Sequence, residues 1–261
     1  MKINVIYNKN INECKDALDK LETLLISNHM LFKTFELDSM DNYGDFSFVI
    51  GGDGTLLKAA KFYSESKVPV FGINLGRLGF LSQTGVEGLQ FVIDSLVDGH
   101  YSVEKRLMLE SCGYQALNDF VIKGCDSSRT SKFYLEIDGE AVCNYIADGI
   151  IISTPTGSTA YGLSAGGPIL HPAIEAVTIV PICPHTLNVR PLVVPPDEVV
   201  TIKTGDKPLS LSVDGCDSSK CFEKITICVA KERAMLAFLE NENFYSVLRD
   251  KLHWGISPES K

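Results

Sequence analysis

Apolar residues recur with two different periods in the N-terminal part of the chain. Residues 3–7, 46–50 and 68–73 form apolar runs with the length and composition of buried strands. Between the first two runs, the apolar positions fall at helical spacing, at Ile11, Cys14, Leu18, Leu21 and Leu25. Asn10 and Glu13 have the spacing of a capping box, which predicts that this helix begins at Asn10. Strands that alternate with helices predict an α/β domain, in which helices cover both faces of a parallel sheet.

Beyond about residue 99 the pattern changes to a period of two. Residues 133–137 and 209–213 alternate between apolar and polar, and Asp-Gly pairs at 138–139, 148–149 and 214–215 predict turns between strands. Residues 244–252 return to helical spacing. We therefore predict an α/β domain over residues 1–98, a mostly β domain over residues 99–235, and a C-terminal tail over residues 236–261 whose helix packs back against the first domain.

The apolar run at residues 46–50 stops abruptly at Gly51-Gly52-Asp53-Gly54-Thr55, and a helical pattern follows. Glycines allow the backbone N–H groups at a helix start to surround phosphate oxygens. A carboxylate would repel phosphate, so Asp53 is better suited to act as a general base beside a reacting hydroxyl. The alternative is a glycine turn in which Asp53 caps the helix. A P-loop is excluded, because the Lys-Ser or Lys-Thr pair is missing.

Three further segments are candidates for ligand contact. Residues 148–168 combine hydroxyls, glycines and the aromatic face of Tyr161, which suits a sugar, a phosphate or a base. The pair Asn118-Asp119 offers an amide for a base edge and a carboxylate for ribose hydroxyls. Residues 74–81 form a second glycine-rich turn. The alternatives are a solvent-facing Ser/Thr loop, a turn-forming Asn-Asp pair and a purely structural strand-to-helix connection.

Composition narrows the function classes. The 261 residues include 45% hydrophobic and 22% charged residues, which is typical of globular proteins that form their own core. A net charge of −9 argues against a general affinity for nucleic acid or for anionic membranes. The eight cysteines contain no CxxC pair and no zinc-like cluster, so we expect reduced thiols, several of them at apolar strand positions such as Cys143 and Cys228. Reduced thiols, together with the lack of signal-peptide features and of a membrane-spanning run, favour a cytoplasmic location.

The motifs carry a family resemblance. The segment Gly51-Gly52-Asp53-Gly54-Thr55 resembles the signature of NAD kinases and of their distant relatives, the diacylglycerol and sphingosine kinases and the phosphofructokinases. Residues 148–168 resemble the second signature of NAD kinases, which those relatives do not carry in this form. Residues 181–187 and 190–192 also match, so the resemblance extends from Val49 to Leu252.

The resemblance implies roles for individual residues. Asp53 is the expected catalytic base, and the expected phosphate-binding residues are Gly51, Gly52, Gly54 and Thr55. The positions that match contacts to NAD are Gly54, Lys58, Asn118, Asp119, Arg129, Asp148, Thr159, Ala160, Tyr161, Gly162, Leu163 and Ser164. The chain departs from the pattern at Ile146, where many relatives have a basic residue. No protein metal site is expected, and Mg²⁺ or another divalent cation would arrive with ATP.

The implied function is an ATP-dependent NAD kinase, which transfers the γ-phosphoryl group of ATP to the 2′-hydroxyl of the adenosine ribose of NAD and yields NADP. Polyphosphate stays open as an alternative donor. The expected partners are NAD and ATP, and the family is commonly a homodimer or homotetramer. Two rivals remain: a lipid or sugar kinase with the same glycine signature, and a dinucleotide sensor with weak or no catalysis.

Overall fold

The chain divides into two compact units in the computed structural model, which describes residues 1–76, 79–126, 130–205, 207–240 and 243–253. Unit 1 consists of Met1–Lys105 with Ala234–Lys261, and unit 2 of Arg106–Arg233. The first boundary lies later than residue 98, because the strand at Tyr101–Arg106 still belongs to the sheet of unit 1. The second lies slightly before residue 235, because the strand at Ala234–Leu239 joins that same sheet.

The elements are as follows. The strands are β1 (Lys2–Tyr7), β2 (Leu31–Glu36), β3 (Phe46–Ile50), β4 (Val70–Asn74), β5 (Thr84–Gly85), β6 (Tyr101–Arg106), β7 (Leu109–Ser111), β8 (Tyr114–Ala116), β9 (Asp119–Gly124), β10 (Ser131–Ile137), β11 (Glu140–Ala147), β12 (Gly149–Ser153), β13 (Val177–Ile182), β14 (Leu192–Val194), β15 (Val200–Thr204), β16 (Leu209–Val213), β17 (Cys216–Phe222), β18 (Lys224–Val229) and β19 (Ala234–Leu239). The α-helices are α1 (Cys14–Ser27), α2 (Asp53–Phe62), α3 (Leu89–Asp98), α4 (Tyr161–Ser164) and α5 (Phe244–Leu252). Short 3₁₀ turns lie at Leu37–Ser39, Val86–Gly88 and Thr156–Thr159.

Unit 1 is built on a sheet with the strand order β2-β1-β3-β4-β19-β6, and β5 pairs with β4. The pairs from β2 to β19 are parallel. Leu21 of α1 and Ile93 of α3 pack with Phe71 of β4 in one buried cluster. The next residue, Gly72, faces the opposite side. There, Leu56 of α2 lies 3.0 Å from where a Cβ on Gly72 would be. Helices thus cover both faces, as predicted.

The first helix begins later than predicted. Helix α1 starts at Cys14, and Glu13 precedes it without a side-chain capping bond. The amide N–H of Asn10 instead donates to the side chain of Asn8 at 3.1 Å. This local Asx-type turn competes with a helix start at Asn10. The capping-box prediction was therefore wrong, although the buried stripe of the helix was correct in its main positions.

Unit 2 consists of two sheets with mostly antiparallel pairing, which confirms the predicted β domain. Their strand orders are β11-β10-β15-β18-β7-β8 and β14-β13-β12-β9-β16-β17. Phe120 of β9 and Ile152 of β12 pack in one buried cluster with Phe133 of β10 and Ile202 of β15. The inner faces of the two sheets therefore form a common core, as in a β-sandwich.

The Asp-Gly pairs do not all make the turns predicted for them. Asp138 and Asp214 have positive φ and lie in the turns that join β10 to β11 and β16 to β17. Asp148 does not lie in a hairpin, since β11 and β12 belong to different sheets. There the chain passes from one sheet to the other.

The C-terminal segment returns to unit 1. Strand β19 pairs with β4, and helix α5 has the bounds predicted from the sequence. Asn243 caps this helix, since its side chain accepts a hydrogen bond from the N–H of Ser246 at 2.9 Å. Among the described helices, none is long and apolar enough to cross a bilayer.

The cysteines differ from the expectation of eight reduced thiols. Cys125 and Cys221 form a disulfide although 96 positions separate them. Strand β16 pairs with both β9 and β17, and this pairing brings the two cysteines together. Spacing along the sequence carries no trace of such a pair. Cys143 is also exposed rather than packed in a core.

The disulfide makes the first testable prediction. Alkylation of the unfolded protein without reductant should modify six cysteines, including the otherwise buried Cys14, and reduction beforehand should make all eight react. Replacing both Cys125 and Cys221 by Ser should lower the free energy of unfolding by about 2–4 kcal/mol, because the long loop is no longer closed in the unfolded chain. The control is the replacement of the exposed Cys143 and Cys216 by Ser, which should change little. Eight modified thiols in the unfolded, unreduced protein would contradict the bridge.

Candidate functional site

Asp53 is the first residue of helix α2, directly after strand β3 and two glycines. Gly51 has a φ of 155°, a conformation that favours glycine. A Cβ at this position would lie only 2.6 Å from the hydroxyl of Thr55. The glycine is therefore needed for the chain to turn from the strand into the helix.

This turn lies where ligands bind in parallel sheets. The strand order β2-β1-β3-β4 reverses direction between β1 and β3, and binding crevices form at the carboxyl ends of strands at such a point. A Cβ on Gly52 or Gly54 would meet nothing within 4 Å. Lys58 is exposed and lies one helical turn beyond Gly54. Open glycine backbone at the start of a helix suits a phosphate group.

The carboxylate of Asp53 is held by the second glycine-rich turn. The N–H of Phe80 donates to Oδ2 at 3.1 Å, and the hydroxyl of Ser82 donates to Oδ1 at 3.2 Å. The Ser82 oxygen in turn accepts from the side chain of Asn74 at 3.1 Å and from the N–H of Gly79 at 3.2 Å. Helix α2 has no side-chain capping bond. The Asp53 carboxylate therefore does not cap the helix, which was the alternative role.

Gly79 is in closest contact with Asp53. A Cβ on Gly79 would lie 2.1 Å from both carboxylate oxygens. Any side chain here would displace the carboxylate, so the second turn supports Asp53 directly. Arg77 and Leu78 of the same turn lie outside the described residues.

In unit 2, the backbone of the Asn118-Asp119 pair is held from two sides. The carboxylate of Asp214 accepts hydrogen bonds from the N–H groups of Leu117 at 3.1 Å, Asn118 at 2.8 Å and Asp119 at 3.2 Å. On the other side, Thr154 donates from its hydroxyl to the carbonyl of Leu117 at 2.6 Å and from its N–H to that of Asn118 at 2.9 Å. The conformation of this pair is therefore set by its neighbours.

The side chains of this pair are not used by the fold. Among the described residues, neither the Asn118 amide nor the Asp119 carboxyl makes a side-chain hydrogen bond. Asp119 is only 3% exposed. Burial, and then the charge of Asp214, raise the pKa of Asp119 to about 7. The side chains of Asn118 and Asp119 are thus fixed through their backbone and keep their own hydrogen-bonding groups for a ligand.

The hydroxyl-rich run divides into a buried and a more open part. Ser153, Thr154, Thr156 and Ser158 are buried. Their hydroxyls bond mainly to the protein itself, as when that of Ser158 donates to the carbonyl of Pro155 at 2.7 Å. This part is therefore neither a solvent-facing loop nor a set of free hydroxyls.

The more open part contains the predicted contact residues. From Thr159 to Ser164 only Gly162 is buried, and Tyr161 is 41% exposed. The aromatic ring of Tyr161 is thus available to a ligand. A Cβ on the preceding Gly157 would lie 2.1 Å from the carbonyl oxygen of Asn118, so the loop packs tightly against the Asn118-Asp119 pair.

One predicted contact residue of unit 2 lies away from this place. Asp148 is exposed and precedes the five-residue strand β12, whereas Asp119 pairs with Ser153 at its other end. At a rise of about 3.3 Å per residue, Asp148 and Ser153 are about 17 Å apart. Arg129 lies outside the described residues.

Comparison with known proteins follows the same division of the chain. The family model of the ATP-NAD kinase N-terminal domain matches residues 10–101, and that of the C-terminal domain matches residues 117–239. The chain belongs to the NAD kinase family. An NAD kinase of Geobacter sulfurreducens is 41% identical over 81% of this chain and 79% of its own length. An NAD kinase of Thermoanaerobacter sp. is 38% identical over 87% of this chain and 86% of its own length.

Solved structures of the family have the same fold. Yeast NADH kinase complexed with NADH has a TM-score of 0.86 at 24% identity and covers 100% of this chain and 90% of its own. An NAD kinase from Archaeoglobus fulgidus in complex with ATP has a TM-score of 0.79 at 26% identity. The match covers 97% of this chain and 99% of that one. The first likeness bears on the fold alone.

Sequence reasoning missed two residues that support the NAD kinase motifs, namely Ser82 beside Asp53 and Asp214 beside the Asn118-Asp119 pair. It singled out the segments of the other supporting residues but gave these residues no role of their own. They are Asn74, Gly79, Phe80, Ser153, Thr154 and Gly157. The available signal was position, since several of them follow the ends of strands or lie in glycine-rich turns. The partner of each one depends on the fold and was not visible in the sequence.

The raised pKa of Asp119 makes a prediction about stability. The folded chain keeps this proton up to about pH 7, whereas the unfolded chain, with a pKa of 3.8, loses it earlier. The free energy of unfolding should therefore fall as the pH rises between these two values. Asn has no proton to lose, so Asp119→Asn should gain in thermal stability over wild type as the pH rises from 5 to 8. A difference in melting temperature that stays constant over this range would contradict the assignment.

Proposed function

We propose that this protein transfers the γ-phosphoryl group of ATP to the 2′-hydroxyl of the adenosine ribose of NAD. The observation that carries the proposal is the carboxylate of Asp53, held by Phe80 and Ser82 beside open glycine backbone at the reversal point of a parallel sheet. Membership of the NAD kinase family supports the choice of substrate pair.

In this mechanism Asp53 accepts the proton of the ribose hydroxyl as the hydroxyl attacks the phosphorus atom. Such a base contributes about 10²–10⁴-fold to the rate. The N–H groups of Gly52 and Gly54 and the hydroxyl of Thr55 bind phosphate oxygens, with Lys58 supplying positive charge. The N–H groups of Gly51 and Thr55 are already used inside the protein, since they donate to the carbonyls of Ile73 and Gly52, each at 2.9 Å. Two hydrogen bonds fix the Asp53 carboxylate, which favours the attack geometry.

A divalent cation is assigned to the ATP rather than to a protein cage. No described group of three or more His, Cys, Asp or Glu side chains is placed to hold a metal ion. Mg²⁺ usually keeps several of its waters and binds the phosphates of a nucleotide substrate, so it would arrive with the ATP. When bound, the cation would neutralise phosphate charge.

Unit 2 supplies the dinucleotide contacts in this proposal. The Asn118 amide addresses the adenine edge, the Asp119 carboxylate accepts from ribose hydroxyls, and Tyr161 offers its ring to the base. The remaining residues from Thr159 to Ser164 shape the same surface. The role of Arg129 stays a prediction.

Assembly and location are also proposals. Asp148 lies one strand length from the Asn118-Asp119 pair. It therefore contacts either the far end of the dinucleotide that this pair binds, or a dinucleotide that is bound mainly by a second copy of the chain. The latter agrees with the expected homodimer or homotetramer. The expected cytoplasmic location stays a prediction, and the Cys125–Cys221 disulfide removes one of the observations on which it rested.

The decisive experiment is turnover with three acceptors, namely NAD, diacylglycerol and fructose 6-phosphate, with ATP and then polyphosphate as donor. Asp53→Asn keeps the size of the side chain but removes the base, so turnover with NAD should fall by at least ~10²-fold while NAD binding survives. Turnover with only the lipid or only the sugar would support a lipid or sugar kinase. Binding of NAD without turnover would support a dinucleotide sensor. Near-normal turnover of the variant would remove Asp53 from the mechanism.

A second pair of variants controls for the placement of the carboxylate. Gly79→Ala leaves Asp53 intact but puts a methyl group where its oxygens lie, so turnover should fall as in Asp53→Asn. Gly85→Ala is the control, because the added methyl makes only an ordinary contact, at 3.9 Å from a backbone oxygen. Equal turnover of these two alanine variants would show that the contact with Gly79 is unimportant.

A further prediction concerns the choice between NAD and NADH, which differ in the charge of the nicotinamide ring. If Asp148 lies about 4–6 Å from that ring, it favours the cationic form by about 1–2 kcal/mol, or roughly tenfold. Asp148→Asn should then remove most of the preference in kcat/KM. Asp197→Asn, which removes the charge of another exposed aspartate of unit 2, should keep this preference. An unchanged preference in Asp148→Asn would indicate that ring shape decides.

A further inference from the structure

Asp214 makes more hydrogen bonds than its turn requires. It lies between β16 and β17 with a φ of 47°, and its N–H donates to the carbonyl of Asp119 at 3.0 Å. Its carboxylate accepts from three successive N–H groups, those of residues 117, 118 and 119. One carboxylate therefore holds the whole backbone of the Asn118-Asp119 segment on its N–H side.

Unit 2 contains a second turn that shows what such an aspartate needs for folding alone. Asp138 also precedes a glycine and has a φ of 51°. Its N–H donates to the carbonyl of Val199 at 3.0 Å, and its carboxylate accepts from the N–H of Val199 at 2.9 Å. Asp214 repeats this pair of bonds with Asp119. Its further bonds, to the N–H groups of Leu117 and Asn118, have no counterpart at Asp138.

We propose that Asp214 is a positioning residue for dinucleotide binding, which fixes the backbone so that the side chains of Asn118 and Asp119 face the ligand. The inference rests on the proposed function, because it assigns these two side chains to NAD. Thr154 completes the arrangement from the carbonyl side. The segment is thus fixed on both sides of its backbone.

The charge of Asp214 is part of this role. A carboxylate has enough lone pairs for three N–H donors, whereas an asparagine amide offers one acceptor oxygen and turns its own N–H₂ group towards a donor. The same charge opposes ionisation of Asp119. Strands β12 and β16, which flank Asp119, have no ionisable side chain, and β8 contributes Tyr114 only. Asp214 is the ionisable group that acts on Asp119 among the described residues.

The test compares Asp214→Asn with the matched control Asp138→Asn. Asp214→Asn should raise the KM for NAD about tenfold or more and change that for ATP less than about twofold. The midpoint of the pH dependence of the NAD KM should also move to lower pH, because the negative neighbour is gone. Asp138→Asn should leave both KM values and the midpoint as in wild type. Loss of thermal stability in both variants, with an unchanged KM for NAD and an unchanged midpoint in Asp214→Asn, would overturn the proposal.

Asp214→Glu keeps the test decisive where the asparagine variant does not fold. Glutamate keeps the charge but shifts it by one methylene, so the KM for NAD should rise while the pH midpoint stays in place. A glutamate variant with the wild-type KM overturns the proposal. Calorimetric titration with NAD runs in parallel on all variants. A wild type that binds NAD without turnover contradicts the proposed kinase function alone, and the binding constants of the variants still decide the role of Asp214.

Discussion

The candidate residues of each unit depend on the same constraint, namely that backbone N–H groups in the turns between strands need hydrogen-bond acceptors. Carboxylates provide these acceptors in both units. Asp53 accepts from the N–H of Phe80 in unit 1, and Asp214 accepts from three N–H groups in unit 2. In each case a charged side chain closes a turn that the strands alone leave open. The turns that carry the candidate chemistry are therefore fixed by electrostatics as well as by packing.

Close packing of backbone against polar groups is the second requirement. Gly79 touches the carboxylate of Asp53, and Gly157 touches the carbonyl of Asn118, with no room for a methyl group in either place. These glycines differ from Gly51, which is needed for its backbone conformation. A glycine-rich sequence thus combines two demands, an unusual φ in one place and a missing side chain in another.

Much of the fold could be predicted from the sequence because periodicity reports directly on burial. Strand β16 shows this best, since Leu209, Leu211 and Val213 are buried and the serines between them are not. The helix start at Asn10 was wrong because a nearby side chain, that of Asn8, captured its N–H. The sequence motifs located Asp53 and the Asn118-Asp119 pair, but not Ser82 or Asp214, because a partner distant in the chain leaves no local pattern.

The Cys125–Cys221 disulfide has a consequence for how the second sheet of unit 2 opens. Strand β17 lies at its edge and, within the described ranges, pairs with β16 alone, so it would ordinarily be the first strand to fray. The covalent bond ties it to the end of β9, two strands further in. Edge and centre then form one cooperative unit, in which the amide protons of β17 exchange with solvent through the same opening event as those of β9. After reduction, β17 would open locally while β9 and β16 stay paired.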